Sequence, residues 1–244
     1  MRTIEATRYV TPLREGGSMP ALVEADDDGL YVLKFRGAGQ GPRALVAEIV
    51  AGELARALGL PVPEIVYCEL DPRIGVAEPD PEIQELLQAS AGRNVALDFL
   101  PGSLAFADAE TVDPALAADI VWLDSLVMNV DRTPRNPNLL SWHGSTWLID
   151  HGAAFYRHHR DDSDPAALAA QPFPLIGQHV LLGRAGSLVD AAARLAPLVD
   201  DALLGRLHDL IPPEWAEPEP YVTFLRERAA RGRAIAEEAD DARG

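Results

Sequence analysis

Apolar and polar positions alternate through "IEATRYVTPL", "ALVEA" and "LYVLKF" within the first thirty-five residues. A period of two marks half-buried strands. The second and third of these runs flank the turn-forming "DDDG" and predict a hairpin. In "GPRALVAEIVAGELARALGL" the period changes. Leu45, Ile49, Leu54 and Leu58 recur at near-helical spacing, and Gly59 with Pro61 ends the helix. "VPEIVYCELD" and "NVALDFLPG" read as two more strands, with a short helix in "EPDPEIQELLQASAG" between them.

Beyond "LPGSLAF" the pattern becomes helical. "TVDPALAADIVWLDSLVMN" offers Asp113 as N-cap and Pro114 at the first helical position. A polar loop, "VDRTPRNP", follows, and a two-residue turn at His143-Gly144 joins "NLLSW" to "STWLI" in a second hairpin. From Asp164 onward the chain reads as helices interrupted at Pro172, Pro174 and "IPPEWAEPEP". Trp215 reads as a packing anchor for those helices, and the tail "EEADDARG" as frayed. The expectation is an α+β chain in two lobes. Residues 1–100 form a strand-rich lobe with one main helix, residues 101–244 a mostly helical lobe, and the connection lies near Phe99–Gly102.

Composition narrows the function classes. At 244 residues the chain can bury a substantial core. A net charge of -17 argues against a nucleic-acid or anionic-membrane binder, because phosphates attract Lys/Arg surfaces. The single cysteine, Cys68, excludes an internal disulfide framework and a Cys-rich zinc site, and reads as a buried apolar residue. No apolar segment opens the chain as a signal peptide would, and no apolar run approaches the roughly 18 residues of a membrane span. The expected location is the cytoplasm.

Two polar segments carry the candidate chemistry. "NVDRTPRNPN" holds Asp131 and Asn136 in a loop leaving a helix, and "WLIDHG" ends an apolar strand on Asp150. Magnesium takes oxygen ligands from a carboxylate or two, with amides, phosphates and water completing the shell. Asn136 and Asp150, brought together by the hairpin, suit such a site, and Asp131 is then left to orient or deprotonate a hydroxyl. Each segment alone also suits a turn or a cap; their order and spacing favour the chemical reading. Lys34 is the only lysine among 21 basic residues. On its strand it is either an edge residue facing solvent or a compact ammonium placed where a planar guanidinium does not serve. His158, His159, Asp161 and Asp162 lack a second ligand pair and read as a solvated loop. Asp124 either braces the loop after its helix or faces water.

Asp131-x4-Asn136, a hairpin, and then Asp150-x-Gly152 resembles the catalytic and metal-binding segments of the protein-kinase-like fold. "MNVDRTPRNPNLL" and "WLIDHGAAF" are most similar to the HipA-like kinases, and more distantly to type II phosphatidylinositol 4-kinases, over roughly Arg8 to Trp215. The resemblance implies a bilobal fold using ATP and Mg2+, with Asp131 as catalytic base and Asn136 and Asp150 as metal ligands. It implies that Lys34 meets the nucleotide phosphates and pairs with a helix glutamate. Glu48 is chosen over Glu53 because it lies in the helix's first half. Gly16, Gly17 and Ser18 fall where a phosphate-covering loop belongs, although Gly-Gly alone also marks a simple turn. Ser18 is the matching candidate for autophosphorylation. Backbone around Asp98, Phe99 and Leu100 would face adenine.

Two departures from protein kinases are visible. Asn129-Val130 precedes Asp131 in place of His-Arg, and His151 stands where those enzymes carry phenylalanine. Both suit the HipA-like branch, whose full-length toxins carry a further N-terminal region that is not expected in this chain. The implied partners are a hydroxyl-bearing acceptor, foremost Ser/Thr of a protein, and an antitoxin-like protein. A catalytically silent nucleotide- or partner-binding module and a small-molecule or lipid kinase are the alternatives.

Overall fold

The computed structural model describes residues 1–13, 19–39, 41–76, 78–158 and 164–243 of the chain. Strands β1 (Thr3–Pro12), β2 (Ala21–Ala25), β3 (Leu30–Lys34), β4 (Ile65–Leu70) and β5 (Gly92–Asp98) close into a barrel in the order β1-β2-β3-β5-β4. All neighbours are antiparallel except β1 and β4, where Thr3 to Ala6 run parallel to Tyr67 to Leu70. Every second side chain points inward, so Ile4, Val23, Leu33, Val66, Cys68 and Ala96 make a small core. Burial pushes the Cys68 thiol up to about 12, which keeps it an inert apolar residue.

Helix α1 (Gly41–Ala57) is buried around most of its circumference. Leu45, Ile49 and Leu54 join the same apolar cluster as Ile120, Leu204 and Phe224 of the C-terminal half. Each such side chain contributes roughly 1.5–3 kcal/mol on full burial. Tertiary packing therefore fixes α1, despite Gly52 in its interior. That glycine has a reason: a Cβ there would stand 2.3 Å from Ile65 Cδ1 on β4. Helix α2 (Pro81–Ala89) is capped by Asp80, and its Ile83 and Leu87 join the apolar cluster of the barrel.

Asp113 caps α3 (Pro114–Leu126) by accepting from the N–H groups of Ala115 and Leu116. A second sheet has the order β6 (Leu104–Ala105), β7 (Leu139–Trp142), β8 (Ser145–Leu148), with α3 between β6 and β7 in the chain. His143 and Gly144 both take positive φ, 49° and 76°, as a tight hairpin turn requires. The remainder is α4 (Pro165–Ala169), α5 (Leu188–Leu195), α6 (Asp201–Asp209), α7 (Glu219–Ala230) and α8 (Gly232–Asp241). The whole is α+β, strand-rich first and helical afterwards.

Two sequence expectations fail here. The tail is not frayed: α8 buries Ala236 and Ala239, and Arg243 donates to the carbonyls of Ala185 (2.9 Å) and Gly186 (3.1 Å). His158 is not solvated. It stacks on Tyr221 at 5.0 Å and meets Phe224 edge-on, because α7 presents an aromatic face to it. His159, Asp161 and Asp162 lie outside the described residues, among which no three His, Cys, Asp or Glu side chains converge as a metal site. Trp215 is buried and meets Tyr67 of β4 edge-on at 6.4 Å, so it ties the C-terminal helices to the barrel. No helix among the described residues is long and apolar enough to cross a membrane.

Candidate active site

Strand alternation decides where Lys34 points. Tyr31 and Leu33 face the barrel core, so Val32 and Lys34 face the cleft on the other side. Lys34 Nζ donates to Glu48 Oε2 at 2.6 Å and to Asp150 Oδ1 at 2.5 Å. Helical phase separates the two candidate glutamates. Glu48 turns inward and is fully buried, whereas Glu53 turns outward and pairs with Arg56 at 3.3 Å. Burial alone would raise the Glu48 carboxyl, but Lys34 and His151 outweigh it and hold it down at about 2. Burial likewise works to lower Lys34, and Asp150 and Glu48 more than reverse it, so the ammonium stays charged.

Asp150 follows β8 with φ at 55°, a left-handed conformation that few non-glycine residues adopt. Ile149 N–H donates to the carbonyl of Asn138 at 3.1 Å and so fixes the strand end against the polar loop. That loop leaves α3 through Met128 (φ 49°) and rejoins β7 after Asn138 (φ 48°). Thr133 and Asn136 exchange backbone hydrogen bonds across it. Asn136 Nδ2 donates to Asp131 Oδ2 at 2.8 Å, and Asp131 N–H donates to Asn129 Oδ1 at 3.1 Å.

Beneath the loop lies a buried polar network centred on Asp124, which braces the loop and does not face water. Arg132 Nε and Asn129 Nδ2 donate to its two carboxylate oxygens at 2.5 and 3.1 Å. His179 Nε2 lies 2.9 Å from Oδ2. Leu181 N–H donates to His179 Nδ1, so Nε2 carries the proton that Asp124 accepts. Arg132 also reaches the carbonyls of Asn138 and Ile149, which joins the Asp131 loop to the Asp150 strand. Removing one partner of such a buried pair costs roughly 3–5 kcal/mol. Asn129 stands out in the sequence only as a departure from the His-Arg lead-in, and Asn138 and His179 do not stand out. The available signal at His179 is a polar residue before an apolar run.

A buried cation holds the start of this loop from behind. Arg228 on α7 donates to the carbonyls of Ser125 and Leu126, the end of α3, and to Gln171. Burial lowers its guanidinium to about 10. The Ser125 carbonyl accepts locally only from the N–H groups of Val127 and Met128 past the helix end, so the arginine acts as a tertiary C-cap of α3.

The network gives stability a definite pH dependence. Burial lowers His179 below its usual value despite Asp124 beside it. Below about pH 6.5 the unfolded chain therefore binds a proton that the folded chain refuses, and stability falls until the folded pKa is reached. Glu48 and Asp124 have depressed pKa values, so their contribution is full above about pH 4 and is lost as pH falls toward 2. Thermal midpoints measured from about pH 8 to about pH 3 should thus decline in two stages, and His179→Asn should remove the upper one.

Two spaces meet at the Lys34–Asp150 pair. A cleft of about 630 Å³ is walled by Val32, Leu97, Phe99, Leu100, Leu139 and Ile149, with Asn136, Lys34 and Asp150 also lining it. A chamber of about 120 Å³ is lined by Asp131, Gly39, Gly41, Ala44 and Gly152, again with Lys34 and Asp150. The first has the size and apolar walls of a small-molecule site. The second brings Asp131 to the same ion pair. Gly16, Gly17 and Ser18 lie outside the described residues.

A lysine strand and a helix glutamate over a D-x4-N loop and an Asp-x-Gly strand end define a protein-kinase-like phosphotransferase. The profile described as HipA-like kinase matches residues 7–171, more than half of the sequence, and the chain belongs to that family. Among solved structures it is similar to the Helicobacter pylori proinflammatory kinase CtkA, with 14% identity, TM-score 0.60, and coverage of 99% of this chain and 97% of that one. It is also similar to the Golgi casein kinase with Mn/ADP bound, with 15% identity, TM-score 0.59, and coverage of 100% and 75%. At such identities these likenesses establish the fold. No curated protein matches significantly.

Proposed function

We propose that this HipA-like kinase uses ATP and magnesium to phosphorylate a hydroxyl acceptor, foremost Ser or Thr of a protein. Residues 1–100 would hold the nucleotide and residues 101–244 would supply the catalytic loop. The observation that carries the reading is the convergence of Lys34, Asp131, Asn136 and Asp150 on one pair of adjoining cavities, with Glu48 buried against Lys34. The Mn/ADP-bound relative supports a nucleotide and a divalent cation in this fold.

In the proposed complex the base lies in the apolar cleft against Val32, Leu97 and Ile149, with the backbone at Phe99 and Leu100 along its edge. Lys34 exchanges Asp150 for phosphate oxygens. The Asp150 carboxylate and the Asn136 amide oxygen fit magnesium, being hard oxygen donors without thiol or imidazole. Asn136 Nδ2 is engaged by Asp131, which leaves the amide oxygen for the cation. Magnesium, when bound, neutralises charge on the phosphate oxygens. Asp131 accepts the proton of the acceptor hydroxyl as its oxygen bonds to the γ-phosphorus, and ADP leaves. Retention of all these groups argues against a silent module, which has no need of them together.

The test is incubation of the pure protein with γ-labelled ATP, with and without magnesium, in a lysate whose proteins and metabolites are then separated. Label should enter protein only with magnesium present, and Asp150→Ala should abolish it. Label in small molecules alone would select the metabolite-kinase alternative. Nucleotide binding without transfer to any fraction would select the silent module.

A further inference from the structure

We infer that His151 is a positioning residue that holds the Glu48 carboxylate together with Lys34, sharing Oε2 with the ammonium through its backbone N–H and meeting Oε1 through its ring. Its backbone N–H donates to Glu48 Oε2 at 2.9 Å, and its ring Nδ1 lies 3.4 Å from Oε1. Both residues are fully buried. A carboxylate only accepts, so Nδ1 carries the ring proton. Nε2 is the ring atom buried without a partner among the described residues. Gly52, one turn along α1 from Glu48, passes close beside the ring: a Cβ there would stand 3.6 Å from Nδ1. A phenylalanine at this position would keep the backbone donor and lose the ring donor.

The consequence follows from connectivity. His151 is the neighbour of Asp150 in the chain, so its two contacts fasten α1 to the segment carrying that carboxylate. Lys34 fastens β3 to both. The inference rests on the proposed roles of Lys34 and Asp150. In that reading Lys34 must release Asp150 Oδ1 to meet a phosphate, and Asp150 must turn to the metal. Glu48 would then rest on Lys34 alone, were it not for His151. The imidazole therefore lets the lysine and aspartate change partners while α1 stays in place, as outer-shell partners do for metal ligands.

Three variants and one probe test this. His151→Leu and His151→Phe remove the ring donor, and His151→Asn returns an amide N–H near Nδ1. The probe is ADP, titrated once with magnesium and once in EDTA. His151→Leu should weaken magnesium–ADP binding about tenfold and metal-free ADP less than about twofold, and His151→Asn should recover to within about threefold of wild type. In the protein without nucleotide, hydrogen exchange should quicken in the first half of α1 for His151→Leu and not for His151→Asn. His151→Phe carries the comparison if His151→Leu does not fold. Equal weakening of both forms of ADP, an asparagine variant as weak as leucine, or wild-type binding by leucine would overturn the inference. Wild-type protein that binds neither form would instead sink the nucleotide reading, and this inference with it.

Discussion

Lys34→Arg should fold normally and lose about a hundredfold or more in phosphate transfer, the scale expected when a reacting group is displaced by about an ångström. The substitution keeps the positive charge, so buried Glu48 keeps a cationic partner and avoids the penalty of an isolated buried carboxylate. What it cannot keep is the geometry. Nζ sits 2.6 Å from one carboxylate and 2.5 Å from another, a space matched to a compact ammonium at the end of a flexible stem. A guanidinium is planar, broader, and donates in a rigid fork. It would displace Asp150 or α1, both of which the proposed reaction needs in place. The check pairs a thermal melt with transfer from γ-labelled ATP. An arginine variant that transfers as wild type would mean that the chain's lone lysine marks no phosphate contact.

The pairing at Lys34 was readable in the sequence because each part had a local signature. A strand period sets Lys34 in alternation with Leu33, and Glu48 is chosen over Glu53 for its place in the helix's first half; the structure then turns Glu48 inward and Glu53 toward Arg56. The two hairpins and the Asp113 cap were legible for the same reason, since turn and cap chemistry lies within four residues. The barrel closure was not. The parallel pairing of β1 with β4 joins residues more than sixty positions apart and leaves no periodic trace. Strand β6 is two residues long and exists only through β7.

The site's supports were hidden likewise. Asp124 left two readings open until His179, fifty-five residues later, and Arg132 were found against it. His151 looked like a departure from a familiar motif. Its bond to Glu48 spans a separation of 103 residues, and only the fold makes the imidazole a partner of the lysine–glutamate pair. The misread tail and His158 share one cause. Local polarity suggested solvent, and distant helices supplied the cover.

Asp131→Asn separates binding from chemistry most cleanly. The amide is isosteric with the carboxylate, and its oxygen can still accept from Asn136 Nδ2, so the loop keeps its shape. The network on Asp124 beneath it is untouched. What disappears is the group proposed to take the acceptor's proton, a role worth typically 10²–10⁴-fold in rate. The decisive measurement is transfer of label from γ-labelled ATP with magnesium by wild type and Asp131→Asn, at nucleotide occupancies matched by equilibrium binding. The account predicts equal occupancy, with transfer in the variant reduced by about 10²–10⁴-fold. Transfer by Asp131→Asn at the wild-type rate would contradict it, as would wild-type protein that binds ATP and transfers nothing.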